Sequence, residues 1–528
     1  MTAVASSQPR PASRGQGQAA PSGKKAAGVG VNPWIIAVIV SMATFMEVLD
    51  TSIVNVALRY IAGGLGSSYD ESTWTLTTYL VANAIVLPAS GWLSNRIGRK
   101  KFYMGCVALF TISSFFCGIA PSLFALLLSR VCQGIGGGGL APSEQAILTD
   151  TFPANKRGGA FALYGVAVVV APAIGPALGG WITDSFSWRW IFFMNIPVGM
   201  LSLFLTYHFV PEEDRTGQEK TGKKIDYLGF GLIATGLGCL QVVMDRGQID
   251  DWFGSPLITT FAVVAGTTLI IGLVYELTIK DPIVAVPLMR NPSFFTSNVV
   301  MFFLGMVLFA TTQLLPQMTQ DLFGYDATKA GLILSPGGLA VFAMMPVAGF
   351  LVTRIQPKYL IMFGFVTTGT ALWLWTNLDT QVSFKVLVEA RVIQAVGLAF
   401  LFVPLNTIAY SGLPKGSSND ASALINLMRN YGGSFGVSIV QTMVARRSQF
   451  HQSRLVEKIT SGNPILYQEL HGPMHQTIGH VYDQIGQQSE MLSFIDIFKV
   501  LSILAYAGAF IAIFLKRIEP GEKSEGGH

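Results

Sequence analysis

Three ionisable side chains stand where ionisable side chains are expensive. Glu47, Asp50 and Arg130 lie inside long apolar blocks, and a charged group near the centre of a membrane helix costs roughly 3 kcal/mol on insertion scales. Asp50 is about ten residues from the outer end of its block, roughly 15 Å deep at 1.5 Å per residue. Arg130 sits at a similar depth in the fourth block. A carboxylate at that depth, either protonated or free, does the chemistry of proton exchange, and a facing arginine tunes its affinity. Glu47, three residues before Asp50, shares its helix face and reads as a second acid or a contact for a cationic ligand. The competing reading is a buried Asp–Arg pair that only fixes packing. Glu144, near the inner end of the fourth block, reads as a gate contact. Gln133, Arg391, Gln394 and Arg429 are candidates for polar cavity lining.

Other chemistries lack their residues. The chain carries no HExxH pattern, no nucleophile–base or metal constellation and no GxxxxGK[ST] loop, so no catalytic residue, metal ligand or cofactor is assigned. Cys106, Cys117, Cys132 and Cys239 all fall in apolar blocks and read as small packing residues.

Composition places these residues in a bilayer. Of 528 residues, 51% are hydrophobic and only 12% charged, about half the charge of an ordinary soluble domain. The apolar residues cluster in blocks of about 20, the length that crosses a bilayer. The net charge of +5 comes from basic residues in short runs between blocks, where they set orientation. It is not a nucleic-acid signal.

Spans are expected near 34–60, 73–94, 102–120, 122–148, 158–182, 190–210, 226–245 and 256–279, then near 294–317, 328–353, 358–377, 383–410, 421–444 and 493–515. That makes fourteen, with both termini on one side. Most Lys and Arg fall inside if the amino terminus is cytoplasmic, including Arg96, Arg99, Lys100, Lys101, Lys156, Arg157, Lys516 and Arg517; Arg446 and Arg447 run against the trend. Residues 1–31 read as a disordered cytoplasmic tail without the layout of a signal peptide. The expected plan is an amino-terminal six-helix bundle over 32–211, a linker with two extra spans over 212–290, a second six-helix bundle over 291–517, and a cytoplasmic tail over 518–528. The stretch 445–492 reads as an outer loop, either a solvated connector with short amphipathic helices or a docking surface.

A weak internal repeat supports the two-bundle plan. Pro88, Gly91, Leu93, Arg96 and Ile97 recur 258 residues later as Pro346, Gly349, Leu351, Arg354 and Ile355. Arg130, Gln133 and Gly136 recur 261 later as Arg391, Gln394 and Gly397, and Pro153, Ala162, Leu163 and Gly175 as Pro414, Ala423, Leu424 and Gly436. The offset exceeds six helices by the length of two spans. Parallel halves of this kind rock about a ligand held between them.

Four segments carry a family resemblance. Gly91-Trp92-Leu93-Ser94-Asn95-Arg96-Ile97-Gly98-Arg99-Lys100-Lys101 resembles the loop signature of the major facilitator superfamily, a cytoplasmic latch between helix ends. Leu49 to Leu58 looks like the first-helix signature of the fourteen-helix EmrB/QacA drug:proton antiporters. Arg130-Val131-Cys132-Gln133-Gly134 looks like their arginine motif. Ala171 to Gly180, with Pro172, Gly175, Pro176, Gly179 and Gly180, looks like their antiporter motif, whose glycines admit close packing and whose prolines bend the helix. Asp245-Arg246-Gly247, Asp251-Trp252-Phe253 and Asp281-Pro282-Ile283-Val284 point to the EmrB branch. Four positions depart from the pattern. Asn95 replaces the usual loop Asp, so a charge relay there is absent or rerouted. Arg59 replaces a common proline, and Glu47 and Glu144 occupy positions that are usually uncharged.

The resemblance covers about 34–515 and implies an all-α, fourteen-helix fold and proton-coupled export of small amphipathic drugs or toxic compounds across the inner membrane. It implies no enzyme activity. A dedicated exporter of a fatty acid, siderophore or metabolite would use the same machinery, and a membrane sensor on a transporter scaffold is the reading from another class. The implied partners are protons, an amphipathic substrate and the bilayer, with a periplasmic adaptor and outer-membrane channel as in the EmrB branch.

Overall fold

Capping residues divide the chain where the apolar blocks alone do not. The computed structural model describes residues 32–212, 226–279, 282–379, 381–411, 413–414, 416–457 and 474–515. The predicted tails at 1–31 and 518–528, Lys516, Arg517, Asp281 and the middle of the 445–492 stretch lie outside the described residues.

Helix α1 (Pro33–Leu65) starts with Asn32 accepting from the Trp34 amide and Pro33 in its first turn, and stops at Gly66, φ 65°. Helix α2 (Tyr69–Ile97) opens on a capping box of Ser68 and Glu71. It ends at Gly98, whose φ of 103° turns the chain at once into α3 (Arg99–Ile119). A residue with a Cβ would be strained there, which explains one spaced glycine of the loop motif. We call this end of the molecule the Gly98 face.

Helix α4 (Leu123–Thr151) is interrupted at Gly138 and Gly139. The run of glycines lets it lie against two neighbours: a Cβ on Gly134 would come within 2.4 Å of the Tyr79 carbonyl on α2, and one on Gly136 within 2.7 Å of the Phe110 amide on α3. Helix α5 (Arg157–Ser185) holds Pro172 and Pro176 within it, and α6 (Trp190–Phe209) closes the first bundle.

Helices α7 (Tyr227–Arg246) and α8 (Pro256–Thr278) pack on each other as the inserted pair. Only 17% of the most apolar window of α8 is buried, so its Val263, Ile270, Ile271 and Val274 face outward. That is the expected surface of a helix lying in lipid. Helix α7 straddles α2 and a helix of the second bundle, through Thr77 to Asp245, Arg246 to Thr73 at 2.7 Å, and Tyr431 to the Leu237 carbonyl at 2.8 Å.

The second bundle comprises α9 (Pro292–Phe323), α10 (Ala327–Leu351), α11 (Pro357–Leu374), α12 (Phe384–Ala409), α13 (Ser418–Val456) and α14 (Met474–Ala512). Among the described residues, thirteen helices are long and apolar enough to cross a membrane by length and composition. Helix α13 is the fourteenth; its Asn419, Asp420, Asn426 and Arg429 lower its hydropathy, and it is held instead by packing on α9, α14 and α2.

One expectation needs correcting. The span at 421–444 runs on as helix to Val456, and the span at 493–515 begins already at Met474, so the described ends of the 445–492 stretch extend the two helices. No Gly or Pro interrupts 437–456. Asp496 ties the extensions together, accepting from Arg447, from His451 at 2.8 Å and facing Lys499 at 3.6 Å. This pairing also accounts for Arg447, which broke the charge trend. Asp496→Ala should loosen the extension by about 1 kcal/mol, the scale of a partly exposed ion network. Trypsin cleavage after Arg446, Arg447 and Arg454 should then quicken several-fold; an unchanged rate would show the extension holds without it.

Candidate functional site

Asp50 is fully enclosed by its bundle. Its carboxylate accepts from Arg130 Nη1 at 2.6 Å, from Gln133 Nε2 at 3.2 Å and from Asn195 Nδ2 at 2.7 Å, with the Asp50 and Arg130 side chains both 0% exposed. Arg130 also donates through Nε to the Thr75 carbonyl at 3.1 Å and through Nη1 to Gln133 Oε1 at 2.7 Å, and its guanidinium lies 4.3 Å above the Tyr79 ring. Four helices build this knot: α1 brings the acid, α4 the arginine and glutamine, α2 the tyrosine, α6 the asparagine. The close approach of α4 depends on Gly134 and Gly137, since a Cβ on Gly137 would come within 2.4 Å of the Tyr79 hydroxyl.

Glu47 lies one turn away and is joined to the knot by Tyr79. The tyrosine hydroxyl donates to Glu47 Oε1 at 3.0 Å, and Asn83 donates to the same oxygen at 3.2 Å. Glu144 accepts from Ser41 at 2.5 Å, and its other oxygen is buried and unpartnered among the described residues. Arg429 of α13 donates to the Tyr164 hydroxyl. Arg391 and Gln394 pair with each other at 2.7 Å, on α12.

Sequence reasoning missed several members. Asn195 and Tyr79 hold the two acids, and their only signal was a polar group in an apolar block. The neighbour of Glu144, Gln145, makes the contacts between bundles: it donates to Asn406 at 3.3 Å and accepts from Asn426 at 2.8 Å and Tyr410 at 3.0 Å. Glu144 itself bonds within its own bundle. Losing a hydrogen bond to a buried charge costs about 2 kcal/mol, so Asn195→Leu should lower the melting temperature of the purified protein by several degrees. A shift within one degree would mean Asn195 is not a needed partner of Asp50.

The loop motif acts across the interface as well as between its own helix ends. Asn95 donates to Asp420 at 3.2 Å and accepts from Asn419 at 2.5 Å, Arg99 donates to Asn419 at 2.8 Å, and Arg99 pairs with Asp150 at 2.6 Å. Ser418 closes the ring on Asp150 at 3.0 Å. Asp420 lies in the first turn of α13, where negative charge suits the helix dipole. The carboxylate missing at Asn95 is therefore supplied by the facing bundle. Arg96 stacks over Trp92 at 5.3 Å, and Lys100 donates to the Tyr207 carbonyl at 2.9 Å.

The proline–glycine motif of α5 lies against α1. A Cβ on Gly175 would come within 2.3 Å of Ser52 Oγ, and one on Gly179 within 3.0 Å of Ile53 Cγ2; Pro172 offers its carbonyl to Ser52 at 3.3 Å, and Pro176 and Gly180 are buried. The other side of α5 meets α10, where a Cβ on Gly331 would come within 2.5 Å of the Ala177 amide.

Two bundles meeting along glycine-lined helices, with charged side chains buried in both, have the architecture of a membrane transporter. Comparison with known proteins agrees. The Major Facilitator Superfamily profile matches residues 40–437. The "Multidrug export protein EmrB" of Haemophilus influenzae is 36% identical over 496 residues, 92% of this chain and 95% of the relative. The "Fatty acid resistance protein FarB" of Neisseria gonorrhoeae is 36% identical over 494 residues, 92% of this chain and 96% of the relative. The solved proton:xylose symporter XylE has the same fold, with a TM-score of 0.62 at 16% identity over 93% of this chain and 98% of that one. The chain belongs to the major facilitator superfamily, in the EmrB branch of its drug exporters.

Proposed function

We propose that this chain exports small amphipathic drugs or toxic compounds across the inner membrane in exchange for protons. The observation that carries the reading is Asp50, buried among Arg130, Gln133 and Asn195. A carboxylate so placed exchanges its proton only when a rearrangement of the bundles opens a path to it. That requirement is what couples proton movement to substrate movement. Arg130 tunes the proton affinity of Asp50, and Glu47, linked through Tyr79, is the second acid. Bundles 32–211 and 291–517 rock about the site, with 212–290 as the inserted pair. Glu144, Arg429, Arg391 and Gln394 line the path between them.

In this reading the Gly98 face and both termini are cytoplasmic. The loop at 91–101 latches that face shut, and the α5 motif acts as a gasket against leak. The chain is a carrier and not an enzyme, and it needs no cofactor. One charge crossing 100 mV yields about 2.3 kcal/mol, enough for a gradient of about 40-fold per proton. The EmrB and FarB relatives support a drug or fatty-acid cargo. The helical extensions of α13 and α14 are the surface on which a periplasmic adaptor, itself leading to an outer-membrane channel, would dock.

The test is ethidium transport by the purified protein in proteoliposomes. Movement should follow an imposed proton gradient and stop when an ionophore collapses it. Movement at the same rate without a gradient would overturn proton coupling. No ethidium movement at all would replace the multidrug reading with a narrow-substrate exporter.

A further inference from the structure

The loop motif divides at Arg99. Arg99 reaches Asp150 and, across the interface, Asn419, whereas the next two residues reach α6 of their own bundle and the chain just after it. Lys100 donates to the Tyr207 carbonyl at 2.9 Å and lies 5.6 Å from the Tyr207 ring, and Lys101 faces Glu212 at 3.6 Å. A latch between bundles makes no use of either lysine. Together with Met104, Tyr207, His208 and Glu212 they line an open cavity of about 710 Å³ at the Gly98 face, a size that takes a small ligand or a lipid headgroup.

The charge of this cavity favours an anion. Its two lysines outnumber its one carboxylate. The Lys101 and Glu212 side chains are 69% and 66% exposed, and so exposed a pair is weak and gives way to a better anion. Helix α3 begins here without a side-chain cap, so the positive end of its dipole adds to the lysines. His208 gives its Nδ1–H to the Phe204 carbonyl at 2.9 Å, which leaves Nε2 to take a proton.

The surroundings favour an anion that carries hydrocarbon. From the cavity toward the middle of the spans, α3 and α6 are in contact and present Leu109, Ile112, Met200 and Phe204 outward, each more than a third exposed. Exposed apolar side chains on spanning helices are the surface that lipid tails cover. Gly105, one residue past Met104, adds room, since a Cβ there would meet nothing within 4 Å. A soluble phosphate ester would match the polar end of this surface and leave the rest bare.

We infer that this cavity binds the phosphate of an anionic phospholipid whose acyl chains lie along α3 and α6. Basic pockets between spanning helices hold such headgroups because the phosphate sits at the level of the helix ends. The site depends neither on the cargo nor on proton coupling, so it stands or falls apart from the export reading.

Native mass spectrometry of the full-length protein, titrated in nonionic detergent with dioleoylphosphatidylglycerol or dioleoylphosphatidylcholine, tests this by counting bound lipid. Wild type should take up phosphatidylglycerol roughly tenfold more tightly than phosphatidylcholine. The double variant Lys100→Gln with Lys101→Gln should lose about 30-fold in phosphatidylglycerol affinity, the share of two interfacial lysines, and keep its phosphatidylcholine affinity. Glu212→Gln frees Lys101 and should tighten phosphatidylglycerol several-fold. Lys358→Gln controls for general surface charge. Lys358 follows Lys100 by the 258 residues of the loop repeat and lies 5.4 Å from the ring of Tyr359 on its own helix; its loss should change neither affinity. Equal affinity of wild type for the two lipids, or an unchanged phosphatidylglycerol affinity in the double variant, would overturn the site. So would a loss in Lys358→Gln as large as in the double variant. Glycerol phosphate binding as tightly as the whole lipid would assign the cavity to a soluble phosphate ester and overturn the lipid assignment.

Discussion

Replacing Asp50 by Asn should reduce gradient-driven ethidium efflux in proteoliposomes by about 100-fold or more, while ethidium still binds. Asparagine keeps the shape of the side chain and can still accept from Asn195 and Gln133, whose partners sit at 2.7 Å and 3.2 Å. It cannot carry a proton, and it leaves Arg130 buried without its counter-charge. The second effect alone destabilises, since breaking a buried pair costs about 3–5 kcal/mol. A drop in transport would therefore be ambiguous by itself. The double substitution Asp50→Asn with Arg130→Gln separates the two causes, because it removes both charges and with them the unpaired guanidinium. If Asp50 is the coupling acid, the double variant regains thermal stability but not efflux. Should gradient-dependent efflux return with stability, the pair only fixes packing, and the coupling acid would then be Glu47.

The parts of this design that were legible in sequence are those that depend on residue type at fixed spacing. Asp50 and Arg130 could be paired because charges so deep in apolar blocks need partners, and helical rise put them at matching depth. The 258-residue offset of Gly91 and Gly349 has a direct structural meaning. Each lets a helix of one bundle lie against a helix of the other: Gly91 of α2 on the first turn of α13, and Gly349 of α10 on Gly158 of α5. What sequence could not give depends on which way a helix face turns. Asn195 and Tyr79 are ordinary polar residues until α2 and α6 rotate them onto Asp50 and Glu47. Gln145 and Glu144 are adjacent, yet one reaches the second bundle and the other Ser41. The break at Gly138 and Gly139 lies just before them, so their facing does not follow from Arg130 by straight-helix spacing. Asp420 was invisible for another reason. It meets Asn95 only across the interface between the bundles, from 325 residues away.

Gly91→Ala should hold the Gly98 face open and cut efflux about tenfold. Alanine is the better helix former, by about 1 kcal/mol, so α2 itself gains from the change. The cost falls on closure: the added Cβ would lie 2.9 Å from Asp420 Cα and 3.1 Å from the Asn419 carbonyl. Those are backbone atoms, which no side-chain rotation can move. Helices α2 and α13 must separate, and the bonds from Asn95 to Asp420 and from Arg99 to Asn419 lengthen with them. Spin labels at Ile97 and Ile355, exposed positions of the repeat, report the separation by electron–electron distance measurement in a cysteine-free background. The long-distance population should grow in Gly91→Ala, and Asp420→Asn, which weakens the same latch without adding volume, should shift it the same way but less. Gly63→Ala is the matched control, because a Cβ there meets nothing within 4 Å. An unchanged distance distribution in Gly91→Ala would mean that the two helices do not close on each other during transport, and that the latch is a feature of one resting state alone.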